Sequence, residues 1–128
     1  RNEYPVYDLY ASKNTEIPKG VEEFILMERF YNSPDCFAHQ DETGRTYQKV
    51  IDFEKFKDEN TINKCFPSSN HRYSFKLELE DPENSQGIVV KTNNWAENSN
   101  FRLEQKNIFI YFNNRIKNSK LSIYIQNV

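Results

Sequence analysis

Two cysteines and two histidines are the side chains in this 128-residue sequence best able to do chemistry. Cys36, His39, Cys65 and His71 form a C-x2-H pair and a C-x5-H pair, and four nitrogen and sulfur ligands suit tetrahedral zinc. The first spacing argues against a metal, because residues three apart on a strand predicted over 36–40 point to opposite faces. We therefore expect no cofactor, and the four residues stand as an alternative zinc set.

The two cysteines have two further interpretations, a disulfide or two unrelated buried thiols. Each lies at the edge of a predicted element and is followed by phenylalanine, in the pairs Cys36-Phe37 and Cys65-Phe66. This favours a bridge, which would close a loop of roughly 30 residues and add about 3–4 kcal/mol in the chain-entropy model. A bridge would imply an oxidising compartment or a hyperthermophile cytoplasm.

Acidic residues near the first cysteine raise the question of hydrolysis by paired carboxylates. Asp41 precedes Gly44 in a DETG turn, and Asp52 stands where a strand ends, so turn roles fit both better. A catalytic cysteine is not favoured, because no elbow motif or glycine-rich oxyanion turn surrounds either one. We predict no catalytic residue, with a small hydrolase using carboxylates around Asp41 and Asp52 as an alternative.

The single tryptophan is the best candidate for contact with a ligand. Trp95 lies in the polar segment KTNNWAENSN, where a loop indole could stack on a sugar or on a partner protein. The alternative, which is favoured over ligand contact, is that it folds back as a lid on the core of the sheet. Tyr47 and Tyr124 are further candidate contacts.

Charge and hydropathy exclude several classes of function. The net charge is −2, with 17 basic and 19 acidic residues interspersed, so the basic face that nucleic acids require is absent. No apolar run is long enough to span a bilayer. Any membrane attachment would therefore need an N-terminal segment that this sequence does not contain.

The chain is predicted to fold as a single domain over residues 1–128, with an irregular arm at 1–17 and a helix at about 19–31. Glutamates early in the helix and Arg29 late in it complement the helix dipole, and Pro34 closes it. The helix has apolar residues on two sides, which predicts that both sides are covered, one by the sheet and one by the arm or a neighbouring subunit. These are Val21, Phe24, Ile25, Met27 and Tyr31 on one side, and Leu26 and Phe30 on the other.

Period-two alternation follows the helix. RYSFKLELED is the clearest strand, with a second short helix expected at 58–64, capped by Asp58 or Asn60, and a turn over NNRIKNSK. Further strands are predicted at 36–40, 45–51, 88–92 and in the segments NFRLEQK, NIFIYF and LSIYIQNV. The predicted class is α+β, with the N-terminal helix packed on an antiparallel sheet of about five to six strands.

Residues 28–66 carry a resemblance to a known group of proteins. ERFYNSPDCFAHQDETGRTYQKVIDFEKF followed by NTINKCF resembles small archaeal exported proteins of the type IV pilin-like, or prepilin-like, membrane-anchored class. The resemblance implies a pairing of Cys36 with Cys65, a hairpin turn at Gly44 and Arg45, and a strand ending at 50–52. The sequence departs from the pattern at His39, where an aromatic is expected, and at 48–49, where Pro-Gly is expected. The family offers no catalytic residue.

These observations favour a non-enzymatic structural or interaction domain, the soluble part of an anchored protein at the cell surface or outside the cell. Its expected partners are proteins, including copies of itself in a filament or complex, and not nucleic acid. The alternative is a carbohydrate- or protein-binding β-rich module that uses Trp95, Tyr47 and Tyr124.

Overall fold

A computed structural model describes residues 19–66, 72–81 and 86–127. The predicted arm at 1–17 and His71 lie outside these ranges. The elements in chain order are α1 (Lys19–Asn32), β1 (Ala38–Gln40), β2 (Thr46–Asp52), α2 (Phe53–Lys57), α3 (Thr61–Cys65), β3 (Tyr73–Glu80), β4 (Gly87–Lys91), β5 (Arg102–Phe112) and β6 (Arg115–Asn127). The described part of the chain holds no helix of the length and hydropathy needed to cross a membrane.

The first helix lies where the sequence predicts it, but its buried side differs from the prediction. Met27, Phe30 and Tyr31 are buried. Val21, Phe24 and Ile25, which the prediction grouped with Met27 and Tyr31, are 40%, 52% and 47% exposed. The grouping was wrong because, at 100° per residue, the prediction spread one apolar side over too wide an arc. The outer apolar side keeps these three side chains accessible.

One six-stranded sheet forms the rest of the fold, in the order β1-β2-β5-β6-β3-β4. The mixed helix and strand content and the strand number agree with the prediction. The sheet is not wholly antiparallel, because β2 and β5 run parallel, with Ile51 opposite Ile110. Alternation of apolar residues reports which face is buried but not strand direction, so the sequence pattern could not reveal this pair.

The longest hairpin turns more tightly than predicted. β5 and β6 are joined by Asn113 and Asn114 alone, with φ of 53° and 60°. Positive φ at both positions is the geometry of a two-residue hairpin turn, and asparagine tolerates it. The predicted turn over 113–120 is therefore wrong for residues 115–120, which lie in β6.

Two short helices replace the single one predicted at 58–64. Asp52 caps α2 by accepting a bond from the Glu54 amide at 3.0 Å. Asn60 stands at the cap position of α3 without a side-chain capping bond, while the Asp58 carboxylate accepts from the Asn60 amide. Of the two residues predicted as the cap, Asp58 therefore bonds the backbone just before α3, and Asn60 makes no side-chain bond.

Aromatic rings form the centre of the core, between the helices and the sheet. The ring centroid of Phe30 lies 6.4 Å from that of Phe37, 6.5 Å from Phe66 and 5.1 Å from Phe75. Phe30 thus joins α1 to β3 and to both segments that carry cysteines. Aromatic pairs in such offset and edge-on arrangements add to the stabilisation from burial.

The cysteines are joined in a disulfide at the edge of this core. Cys36 and Cys65 are buried and bridged, with 5.1 Å between their Cα atoms. The predicted bridge is confirmed, and the alternatives of two free thiols and of zinc-bound thiolates do not fit it. Among the described residues no three acidic, cysteine or histidine side chains come together as a metal site.

Lys55 stabilises the segment around the disulfide through two hydrogen bonds. The Lys55 Nζ donates to the backbone oxygens of Pro34 and Ala38, each at 2.8 Å. Pro34 lies in the connection between α1 and β1, which also carries Cys36, and Ala38 is the first residue of β1. The bridge and the lysine therefore fix the same connection to the 53–65 segment.

Candidate functional site

One face of the sheet points away from the helices, and we call it the open face. Ile108 and Ile110 are buried toward the helices, so Leu103 and Phe109, at alternate positions, point the other way. The exposed apolar side chains on the open face are Leu103 (47%), Phe109 (42%), Val89 (46%) and Ile116 (54%). They are separated from one another by polar side chains, since Gln105 and Asn107 lie between Leu103 and Phe109 on the same face of β5.

A lysine surrounded by three aromatic rings occupies one end of the open face, and we call it the Lys76 cluster. The Lys76 Nζ lies 4.6 Å from the ring centroid of Tyr124, 5.3 Å from Trp95 and 5.9 Å from Phe101. Phe101 meets Tyr124 edge to face at 5.2 Å. Cation–π attraction therefore holds the ammonium group over a ready-made aromatic platform.

The segment that carries Trp95 is fixed to the sheet by a buried amide. Gln126 accepts from the Ala96 amide at 3.0 Å and donates to the Ala96 carbonyl at 2.6 Å. Asn94 adds a bond to the Tyr73 carbonyl at 2.9 Å. Trp95 is consequently held half-buried against the open face, and not over the core as a lid.

Charges around this platform are paired. The Tyr124 hydroxyl donates to the Glu78 carboxylate at 3.0 Å. Burial is the larger cause that raises the pKa of Tyr124, and this hydrogen bond raises it further. Lys91 lies 2.5 Å from Glu97 and lowers the pKa of that carboxyl. The Trp95 Nε1 is buried with no hydrogen-bond partner among the described residues.

The other end of the open face carries a second aromatic group, which we call the His39 cluster. The His39 ring stacks on Tyr111 at 3.7 Å and 17°, and Tyr47 lies 5.7 Å away. The His39 Nδ1 lies 3.4 Å from the Asp52 carboxylate, with both side chains largely buried. Asp52 also caps α2, so the pair anchors β1 to the start of that helix.

The two carboxylates of the hydrolase alternative, Asp41 and Asp52, have structural roles. Asp41 accepts bonds from the Thr43 hydroxyl at 2.6 Å, the Arg45 amide at 3.0 Å and the Tyr47 hydroxyl at 3.0 Å. These bonds, chiefly that from the Thr43 hydroxyl, lower the pKa of Asp41 to about 2. The bond from Tyr47 in turn raises the pKa of Tyr47. Asp41 is thus a turn residue, as its position before Gly44 predicts.

The lowered pKa of Asp41 predicts a pH dependence of stability. Because the pKa is about 2 in the folded protein and about 3.9 in the unfolded chain, ionised Asp41 stabilises the fold above about pH 4. That contribution is lost as the pH falls through about 2. Thermal melting of wild type and Asp41→Asn from pH 7 to pH 2 should show the wild type melting higher at neutral pH. The difference should close toward pH 2, and a constant difference would contradict the assignment.

An open depression of about 500 Å³ lies beside the His39 cluster, between the end of α1 and β2. Its lining is polar and aromatic, with Asn32, Pro34, Arg45, Tyr47 and Val50 among the residues. The Arg45 guanidinium carbon lies 5.0 Å from the Tyr47 ring centroid and covers one side of that ring. One side of the Tyr47 ring is therefore already covered by Arg45, a residue of the same hairpin.

The structure brings together some of the predicted contact residues and separates others. Trp95 and Tyr124 meet in the Lys76 cluster, while Tyr47 belongs to the His39 cluster. Sequence reasoning missed Lys76 and Phe101. Alternation along RYSFKLELED places Lys76 on the face away from the core, but nothing local indicates that a loop brings Trp95 onto it.

Comparison of the chain with protein-family models, with curated proteins and with solved structures finds no match.

Proposed function

We propose that this chain is a non-enzymatic interaction domain that works outside the cytoplasm and binds a protein through the open face of its sheet. The observation that carries the proposal is the aromatic platform of the Lys76 cluster, with the exposed Leu103 opposite Tyr124 on the same face and the exposed Phe109 further along it. Tyrosine, tryptophan and phenylalanine are enriched in the buried centres of protein interfaces.

The disulfide supports a location outside the cytoplasm. Cys36 and Cys65 are the chain's two cysteines and are bridged. Such bridges persist in oxidising environments and are rare where thioredoxin and glutathione keep thiols reduced. A secreted or surface-exposed domain is the simplest setting for a buried bridge of this kind.

We further propose that the domain is the soluble part of a pilin-like or otherwise membrane-anchored surface protein. Support comes from the resemblance over residues 28–66 and from the order of one leading helix followed by a sheet. Val21, Phe24 and Ile25 on α1 are also exposed and form a second apolar side of the helix. A hydrophobic segment upstream of residue 1 in the full-length gene would support the anchor, and a polar one would count against it.

A carbohydrate is the second candidate ligand. The Trp95, Phe101 and Tyr124 rings form a platform. Aromatic faces suit a sugar ring. Since Trp95 is the single tryptophan, its fluorescence reports directly on this platform. A saturable shift on titration with defined oligosaccharides would favour this alternative over a protein partner.

The protein-binding proposal is tested by placing charge on the open face of the full-length protein in its source cell. The variant Leu103→Glu with Phe109→Glu changes two exposed side chains and should leave the fold intact. Wild type is expected to migrate in a complex above its own mass on native gels of mildly solubilised cells. The amount of that complex should be at least about tenfold lower for the variant, because burying charge in the apolar centre of an interface is unfavourable.

A matched control separates this surface from the other apolar one. Phe24→Glu with Ile25→Glu adds the same two charges at similarly exposed positions on α1. The open-face proposal expects the control to keep the complex. An open-face variant that retains its complex, or a loss confined to the α1 variant, would overturn it.

A further inference from the structure

The two outermost strands of the sheet, β1 and β4, differ in how their outer edges are protected. β1 is three residues long and irregular after Ala38, features that blunt an edge against pairing. β4 forms the opposite edge, and among the described residues only β3 pairs with it. The outer side of β4 therefore presents backbone N–H and C=O groups without a strand partner.

β4 carries few of the devices that keep an edge strand single. Its sequence GIVVK has three β-branched apolar residues in a row and no proline. Val89 is 46% exposed on the open face. Its single charged residue, Lys91, is paired with Glu97 at 2.5 Å. This pairing weakens the effect by which an edge lysine disfavours pairing with another strand.

We propose that β4 pairs with β4 of a second copy of this chain, antiparallel and centred on Val89. The two six-stranded sheets would then continue into one another. In this register Val89 faces Val89 of the second copy, Ile88 faces Val90, and Gly87 faces Lys91.

The strand's own sequence selects this register. It overlaps all five residues and sets Lys91 opposite glycine, so no like charges face one another. Ile88 and Val90 both point to the helix side, opposite Leu79 and Leu77 of β3, so they match across the join. A one-residue shift would instead set Ile88 opposite Val89 and turn the two open faces to opposite sides.

This arrangement places both open faces on one side of the joined sheet. β3 lies directly beside β4, with Lys76 opposite Lys91, so the two Lys76 clusters would flank the join. Two copies would thus present one continuous surface with two aromatic platforms. The pairing does not depend on what the open face binds.

The test is the solution mass of the oxidised 128-residue chain. A join of two five-residue strands is small, so weak association is expected. Sedimentation equilibrium between about 10 µM and about 1 mM should give an average mass rising from 15.3 kDa toward twice that value. A mass that stays at one chain throughout this range overturns the proposal.

Two pairs of variants locate the contact. Val89→Lys sets two lysines opposite each other and should weaken association at least about tenfold, which is about 1.4 kcal/mol. Phe109→Lys, similarly exposed but paired with strands on both sides, should leave association unchanged. Val89→Cys should give a disulfide-linked dimer on oxidation where Phe109→Cys does not. Association that survives Val89→Lys, or cross-linking equal at both positions, would place the contact elsewhere and overturn the proposal.

Discussion

Replacing Cys36 and Cys65 together by alanine is expected to lower the free energy of unfolding by about 3–4 kcal/mol. The bridge spans 29 positions, and its removal frees the unfolded chain to explore conformations that the closed loop forbids. This is a large part of the total stability of a domain of this size, which is of order 5–15 kcal/mol. Urea unfolding followed by circular dichroism measures the difference.

The single variant Cys36→Ala is the control for this prediction. It breaks the same bridge while keeping the second buried side chain, so it should lose nearly as much stability as the double variant. Reduced wild type should fall in the same range, since its loop is also open. A loss below about 1 kcal/mol in all three would show that the bridge does not constrain the unfolded state.

Truncating Phe30 to alanine is expected to cost about 3–5 kcal/mol. Phe30 is 2% exposed and its ring contacts the rings of Phe37, Phe66 and Phe75. Removing it leaves a cavity among side chains from α1, β3 and both cysteine-bearing segments, which cannot all move inward to fill it. The same urea titration gives the change in free energy of unfolding.

Phe24→Ala on the same helix is the matched control. Phe24 is 52% exposed, so its truncation should change stability by less than about 0.5 kcal/mol. Equal losses for the two variants would contradict the exposure of the Phe24 side of α1. They would instead indicate that α1 also buries its outer side.

The sequence predicts the local elements of this fold well and their arrangement less well. The helix at α1 follows from capping charges and Pro34, and β3 follows from strict alternation, since both signals are local. The parallel pairing of β2 with β5 arises from the whole path of the chain through α2, α3, β3 and β4, which no local pattern encodes. The side on which α1 is buried was misassigned for a related reason, because Phe24 and Met27 are equally apolar.

For the candidate site, as for the fold, the sequence indicated the residue types but not how they come together. Trp95 and Tyr124 were identifiable as contact residues from their type alone. Their meeting with Lys76 depends on Gln126, which holds the Trp95 segment through the Ala96 backbone. A buried glutamine that bonds a loop 30 residues away leaves no pattern in a single sequence.

The central claim is that the domain works outside the cytoplasm with the Cys36–Cys65 bridge closed. It is tested most directly by the intact mass of the protein taken from its source cell and alkylated in denaturant without reduction, since both cysteines are buried in the fold. We predict a chain that carries no alkyl group and gains two only after reductant is added. Two alkyl groups added before reduction would mean that both cysteines are free thiols in the cell. That result would contradict the proposal that the domain is exported and that its open face binds a partner outside the cytoplasm.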